Sequence, residues 1–389
     1  SNKIKSLDPK NIGGHIGDMI SLESTYAFKK FLEKIGSDNY DFREKKFYID
    51  PECKNNYIFN STIQGVEDSD LIILIGTNPR HEATMLNARI RKAFKANNIP
   101  IYSFGNPGDL TYNYELLGET IQDLRSLFDK KSEISKKLLN SKKPLIIIGE
   151  SALELKNGSF IFQEVKKFII QNNMIQENWN PLNVLMQNAS SVGCLDLKFM
   201  NYDKENNFIF FDKLEKNQFD LIYLLGSDNL KINKQNEFII YQGSHGDNGA
   251  DIADIVLPSP AYTEQEGLYE NIEGRVQECR KASYPTGLSL EDWKIFNKIS
   301  ENLNNQKLTK NFENLRKNIL EIISNFKSTD DLPDKLKDDF NKENFSYSDE
   351  KIKIKKIDYY YTNAISRASK TMSNCRNINI KPLKNGTVN

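Results

Sequence analysis

The densest set of groups able to do chemistry lies in residues 241–277. His245 and Asp247 stand two apart, Asp251 and Asp254 follow, and Glu264, Glu266, Glu270 and Glu273 are set among Gly243, Gly246, Gly249, Gly267 and Gly274. An imidazole beside carboxylates is the raw material of proton transfer or of a metal site. Both need a geometry that spacing alone does not supply, and the other histidines, His15 and His81, are distant in sequence. Acids flanking turn glycines are also the ordinary make-up of a plain loop. Asn271, Glu273, Gly274 and Arg275 read as a tight turn that presents Arg275 to an anion or a carboxylate.

Two further groups carry charge in a suggestive pattern. Gly76, Thr77, Asn78, Pro79, Arg80, His81 and Glu82 follow an apolar run and open a helical pattern. Pro79 suits the first helical position, and a helix N-terminus after a glycine turn can hold an anion. The strand-to-helix joint by itself accounts for the same residues. The spacing of a phosphate-binding P-loop is absent. Arg89 and Lys92 share one side of the following helix while Arg91 points elsewhere. They make either a solvated basic face or an interface or phosphate contact.

Other chemistries are excluded by pattern. No GxSxG, HExxH, Walker or GxGxxG motif occurs. Cys53, Cys194, Cys279 and Cys375 are scattered, the nearest two being 279 − 194 = 85 residues apart. That spacing gives no iron–sulfur or zinc motif and fits reduced thiols. Lys+Arg and Asp+Glu are both 53, so the formal net charge is zero and a nucleic-acid partner is not expected. No apolar run reaches the roughly 20 residues of a membrane span.

The elements that must position these groups are read from hydrophobic period. Continuous apolar runs at 71–76, 101–105, 144–149, 208–211, 221–226, 238–243 and 255–258 suit strands buried on both faces of a parallel sheet. Helical periodicity falls between them, at 82–97 with Leu86, Ile90, Ala93 and Phe94 on one face, and at 160–171 with Phe162, Val165 and Phe168. Alternation of this kind predicts an α/β fold with doubly wound, mostly parallel sheets and right-handed crossovers. The expected units are 1–145, 146–303 with the loop 241–277, and a helical and extended C-terminal arm over 304–389. In that arm a helix is expected at 311–326, a charged surface arm or linker at 328–356, and renewed order at 357–375. Ile365, Ala368 and Met372 there recur at helical spacing behind Tyr359, Tyr360 and Tyr361. The segment, with Tyr359, Tyr360, Arg367 and Met372 as candidates, must dock on its own body or on a neighbour.

Several segments resemble one family in that family's order: 60–67 with 74–80 and 86–92, then 109–112, 184–185 with 195–197, the loop 241–277, 291–293, and 358–372. The family is the molybdopterin-oxidoreductase-like half of the large iron–sulfur subunit of respiratory complex I, NADH:ubiquinone oxidoreductase. The resemblance covers nearly the whole chain, and the segment 358–372 is similar to mitochondrial and related bacterial members. It implies sheets of the molybdopterin-oxidoreductase type kept as a scaffold, with no catalytic residue, cofactor or metal in this chain. Arg80, Arg89, Arg91, His245, Asp247, Asn271, Glu273, Arg275, Tyr359, Tyr360, Arg367 and Met372 are then structural or interface residues. The family's cysteine-rich cluster-binding runs are missing here. The resemblance therefore implies 2Fe–2S and 4Fe–4S clusters on a partner chain carrying the N-terminal half, with the first unit completing a domain begun on that partner. Further implied partners are other peripheral-arm subunits. The implied location is the matrix side of the mitochondrial inner membrane, or the cytoplasmic face of a bacterial one. Two rivals stay open. One is a fragment of an active molybdenum or tungsten oxidoreductase such as a formate dehydrogenase, with residues near His245, Asp247, Asn271 and Arg275 approaching the pterin. The other is an independent nucleotide-binding α/β protein.

Overall fold

The structure, a computed structural model, describes residues 1–203, 207–304, 306–323, 326–333 and 347–380. Among them twelve strands follow in chain order: β1 (Ile12–Ile16), β2 (Asn39–Asp41), β3 (Leu71–Ile75), β4 (Ile101–Phe104), β5 (Glu115–Gly118), β6 (Pro144–Gly149), β7 (Leu182–Leu185), β8 (Leu221–Leu225), β9 (Phe238–Gly243), β10 (Ile255–Pro258), β11 (Gly267–Glu270) and β12 (Val276–Cys279). Ten of them build two five-stranded sheets, ordered β10-β9-β8-β1-β2 and β5-β4-β3-β6-β7. Every pairing in both sheets is parallel. β11 and β12 form an antiparallel hairpin outside them.

The parallel α/β expectation holds because the apolar runs are buried on both faces. Every residue of β3, β6 and β8 is buried. The run 208–211 is different: it opens a helix, Ile209–Glu215. Phe210 and Phe211 precede Leu214 by four and three residues, a helical spacing, and both are buried in one cluster with Phe219 and Ile222. A short apolar run cannot distinguish the two periods, and the residues that follow it decide.

The sheets do not part the chain at 145 as the expected units did. The first sheet takes β1 and β2 from the start and β8 to β10 from residues 221–258, while the second is made entirely from 71–185. The first sheet is therefore interrupted by the second. The helix Leu22–Ile35, capped by Ser21 and stopped by Gly36 in the left-handed region, covers the first sheet through Phe28, Phe31 and Leu32. Phe28 stacks on Phe296 at 5.1 Å, bringing in the helix Asp292–Asn304.

Each sheet winds outward in both directions from a central pair. These pairs, β1/β8 and β3/β6, are the points at which strand order reverses and where an open α/β sheet leaves a crevice at its carboxyl ends. Glycine is required at both. A Cβ on Gly17 would lie 1.7 Å from the Gly226 carbonyl oxygen, and one on Gly149 would lie 2.6 Å from that of Gly76. The backbones leaving paired strands nearly touch, and only glycine permits it.

The C-terminal arm is tied to this body. The helix Phe312–Ile322 lies within the expected 311–326 and buries Leu315 and Ile319. The middle of the expected linker, 334–346, lies outside the described residues. Its end crosses the second sheet: Tyr347 stacks on Phe160 at 4.8 Å, and Ile352 is buried with its N–H on the Glu119 carbonyl at 2.6 Å. The last segment holds two helices, Ala364–Ala368 and Lys370–Ile380. Ser369 between them is extended, so the expected continuous face through Ile365, Ala368 and Met372 is broken there.

Candidate functional site

Four of the five carboxyl ends of the first sheet deliver one acid each. Asp18 follows β1, Glu44 follows β2, Asp228 follows β8 and Asp247 follows β9. Their partners hold them in place. Asp228 accepts the Tyr241 hydroxyl at 2.8 Å and the Gly249 N–H at 3.1 Å, and Glu44 accepts from Asn229 at 2.6 Å. Beneath them His15, fully buried, spans Ser227 at 2.7 Å and the Arg43 carbonyl at 2.8 Å. Burial pushes its pKa down to about 4, so the ring is neutral at pH 7. The Arg43 carbonyl can only accept, so Nε2 carries the proton and Nδ1 accepts from the Ser227 hydroxyl. His15 thus stitches the end of β8 to the turn after β2.

Crowding and burial perturb these acids. Burial first, and then the neighbouring Glu44, raise Asp18 from 3.8 to about 7. Burial likewise raises Glu44 and Asp228. The folded chain therefore keeps a proton on Asp18 that the unfolded chain releases near its ordinary value. The stability tied to that proton is full below about pH 4 and is lost as pH rises through about 7. Asp18→Asn should flatten this part of the stability–pH curve. At pH 8 it should leave the variant more stable than the parent by on the order of 2 kcal/mol, after allowance for solvent screening. Chemical denaturation at several pH values measures it.

Among the described residues the cation paired with an acid of this crevice comes from the C-terminal segment, while the charge of Lys45 also acts on Glu44. Arg367 pairs through Nε with Asp247, and its Nη1 donates to the Tyr361 carbonyl at 3.0 Å. Its charge also lowers the pKa of Asp18, Glu44 and Asp228. The remaining cavity, bounded by Asp18, Asp228, His245 and Ser259 on the body and by Asn363, Ala364 and Ile365 on the segment, is about 50 Å³.

The second crevice is filled in a parallel way. Glu82 accepts the Thr77 hydroxyl at 2.7 Å and the Asn78 N–H at 2.9 Å beyond β3. Glu150, beyond β6, accepts the Gln187 N–H at 2.8 Å. Lys45, from the turn after β2 of the other sheet, reaches Glu150 at 3.2 Å and Glu154 at 2.5 Å. Burial opposes the Lys45 ammonium, and the two carboxylates more than offset it, so its pKa lies above the ordinary lysine value. The cavity left beside Lys45, Glu150, Gln187 and Ser191 is about 90 Å³. The Ser190 side chain bonds to the Gly17 carbonyl at 3.0 Å, so the carboxyl ends of the two sheets converge.

The glycine-rich loop has an architectural core. Lys54 lies between Asp196, at 2.7 Å, and Glu270, and Asp196 also accepts the Tyr57 hydroxyl at 2.5 Å. Lys54, Asp196 and Glu270 are all buried. Burial and then the Asp196 charge hold Glu270 well above the usual carboxylate range, so it stays protonated beside one lysine and one aspartate charge. The turn after it forms as expected: Asn271 Oδ1 accepts the N–H groups of Glu273 and Arg275, and Gly274 takes φ +76°. Arg275 faces the Glu273 carboxylate at 3.5 Å and donates to the Asp330 carbonyl. Glu273 in turn accepts the Ile63 N–H at 2.8 Å.

The other candidates stand apart. Arg80 pairs with Asp109 at 2.5 Å on the surface. Arg89 and Lys92 share Glu67 at 2.5 and 2.6 Å, and Arg91 is exposed. His245 contacts the Ser244 hydroxyl at 2.9 Å. Tyr359 is exposed and meets Tyr360 edge-on at 5.7 Å, while Met372 is half-buried. Of the expected set, the structure brings together His245, Asp247 and Arg367 at one crevice and Asn271, Glu273 and Arg275 in one turn. A larger groove of about 740 Å³ has Phe211, Leu214, Phe219, Ile222 and Leu230 on one wall and shares Glu44, Lys45 and Glu154 with the crevices, beside Lys46 and Lys355. Among the described residues no group of three or more His, Cys, Asp or Glu is placed to hold a metal ion.

Sequence comparison is decisive for the family. Residues 1–302 match Molybdopterin oxidoreductase, and residues 324–375 match the C-terminal region of the G subunit of NADH-ubiquinone oxidoreductase. The chain belongs to the molybdopterin oxidoreductase family. It is 39% identical over 383 residues to the NADH-ubiquinone oxidoreductase 75 kDa subunit of Reclinomonas americana, covering 94% of this chain and 55% of that protein. It is 35% identical to the G subunit of the NADH-quinone oxidoreductase of Rickettsia bellii, covering 96% and 54%. It is 37% identical to the mitochondrial NADH-ubiquinone oxidoreductase 78 kDa subunit of Candida albicans, covering 95% and 52%. The chain thus spans about half the length of these relatives. A chain of the formyltransferase/hydrolase complex from Methylorubrum extorquens shares the fold, with a TM-score of 0.56 at 12% identity over 75% of this chain and 91% of that one.

The family's name implies a pterin cofactor, and the crevices can be tested for it. Such a group is phosphate-bearing and anionic, and pockets for ligands of that order run to about 300–1,000 Å³. The cavity at the first crevice, about 50 Å³, is lined by Asp18, Asp228 and Asp292, and that at the second, about 90 Å³, by Glu44 and Glu150 with Arg43 and Lys45. As built, these residues do not fit it.

Proposed function

We propose that this chain is a structural part of the peripheral arm of a respiratory complex I, an NADH:quinone oxidoreductase, and carries no redox centre itself. The observation that carries this reading is that both sheet crevices are filled from within, by Arg367 and by Lys45. Crevices occupied by the chain's own cations support a scaffold role in this reading. The names of the relatives support the assembly. In this reading the clusters lie on the N-terminal half of the subunit, the part of the relatives that this sequence does not span. Electrons from NADH then pass to ubiquinone alongside this body rather than through it. No helix among the described residues is long and apolar enough to cross a membrane, in keeping with a peripheral subunit on the matrix side of the inner membrane, or on the cytoplasmic face in a bacterium.

Capture of the tagged chain from its native membranes, followed by a native gel and mass spectrometry of the band, tests the assembly. Co-migration with NADH-oxidising and cluster-bearing subunits is the expected result. Migration alone, or with molybdenum-enzyme subunits, contradicts it. The molybdenum or tungsten oxidoreductase reading has no observation in its favour at the crevices, where acids stand in place of an anion site.

A further inference from the structure

The C-terminal segment has an unusual seat. Four strand ends that are up to 229 residues apart in sequence, from Asp18 to Asp247 (247 − 18), each place a carboxyl group at or beside one switch point. A crevice so acidic would be costly to close over, because like charges removed from water repel strongly. It is closed here by residues 363–367, which present one guanidinium to it. The segment is organised to do so. Asn363 and Ser366 form a reciprocal cap that fixes the first turn of the helix Ala364–Ala368. Asn363, Ala364 and Ile365 line the crevice wall, and Arg367 projects to Asp247. Arg376, from the last helix, pairs with Asp358 at 2.6 Å and lies over the Tyr361 ring at 4.7 Å. It thereby steadies the turn whose Tyr361 carbonyl accepts from Arg367. The second guanidinium nitrogen, Nη2, is buried and makes no direct hydrogen bond, and the Arg367 charge acts on Asp18, Glu44 and Asp228 without touching them through a hydrogen bond.

We propose that the switch-point crevice of the first sheet is a guanidinium-binding site, and that residues 359–368 are its internal ligand, held there by Arg367. The segment docks in the way a bound ligand does, through one charged head in a preformed acidic seat and a short apolar flank. The planar fork of a guanidinium can face several carboxylates at once, which a compact ammonium cannot do as well. The site is a property of this chain and stands apart from the assembly proposed above, since its readout is local.

Hydrogen–deuterium exchange of residues 359–372, followed by mass spectrometry in the isolated complex or the full chain, tests it. Arg367→Ala should speed exchange of this segment at least about tenfold while β3, β6 and β8 stay protected. Millimolar ethylguanidinium should restore most of the protection, ethylammonium at equal ionic strength should not, and Arg367→Lys should fall between. Asp247→Asn, which keeps the shape of the seat, should loosen the segment by a comparable factor, and it serves as the second variant where Arg367→Ala does not fold. Unchanged exchange in either variant overturns the proposal, because the segment would then dock without the charge. Equal rescue by ethylammonium, or no rescue by ethylguanidinium, also overturns it, because the crevice would then show no preference for a guanidinium.

Discussion

Lys54→Met should lower the folding stability of the protein by about 3–5 kcal/mol, the usual cost of leaving a buried ion without its partner. Lys54 is the one cation between two buried carboxyls, at 2.7 Å from Asp196 and in contact with Glu270. Methionine fills the space but leaves the Asp196 charge unopposed in a water-free site. The three groups come from the turn after 53, the helix Ser191–Asp196 and the strand β11, so their separation should also free the hairpin. Urea denaturation at neutral pH measures the first effect. Hydrogen exchange at 267–279 measures the second. A Lys54→Met variant as stable as the parent would contradict this account.

Arg43→Met should cost a similar amount, again about 3–5 kcal/mol. Arg43 is 1% exposed and yet fully satisfied. Its Nε and Nη2 grip Asp41 at 3.0 and 2.7 Å, and the remaining N–H groups reach the Phe47 carbonyl at 2.7 Å and the Asn207 side chain and carbonyl at 2.8 and 2.7 Å. Phe47, Phe208 and Phe211 surround the guanidinium. The substitution strands a buried carboxylate and frees two carbonyls. It also disturbs the turn whose Arg43 carbonyl anchors His15, so the acidic crevice loses its floor. Arg43→Lys keeps the charge without the fork and should recover less than half of the loss. Thermal or urea unfolding of the three proteins decides; a lysine variant as stable as the parent would show that charge alone is needed.

The parallel architecture was legible because β3, β6 and β8 are uninterrupted apolar runs, each ending at glycine. β1 was not, since Gly13 and Gly14 give it little strand character. They are there because a Cβ on Gly14 would come within 2.4 Å of Leu32 in the covering helix. The interruption of one sheet by the other was also hidden, since local pattern does not say which strands pair. The same gap concealed the crevice. Asp247 and Arg367 were each singled out, one as a loop acid and one in the C-terminal segment, but 120 residues separate them. Asp18, Glu44 and Asp228 were missed. A usable signal was present in Gly17 with Asp18, and in Gly226, Ser227 and Asp228, where a strand ends in glycine and an acid follows. Lys54 and Asp196 carried no local sign, and Glu270 read as one more turn acid, because a buried ion pair is a product of packing rather than of spacing.

The central claim is that this body is a scaffold whose crevices are filled by its own Arg367 and Lys45. Molybdenum, tungsten and pterin content, measured per copy of this chain in the purified native assembly, tests it most directly. The scaffold reading predicts iron from the cluster-bearing partners, and neither molybdenum, tungsten nor pterin in stoichiometric amount. One equivalent of either metal with pterin, retained after gel filtration and lost on removal of this chain, would contradict it.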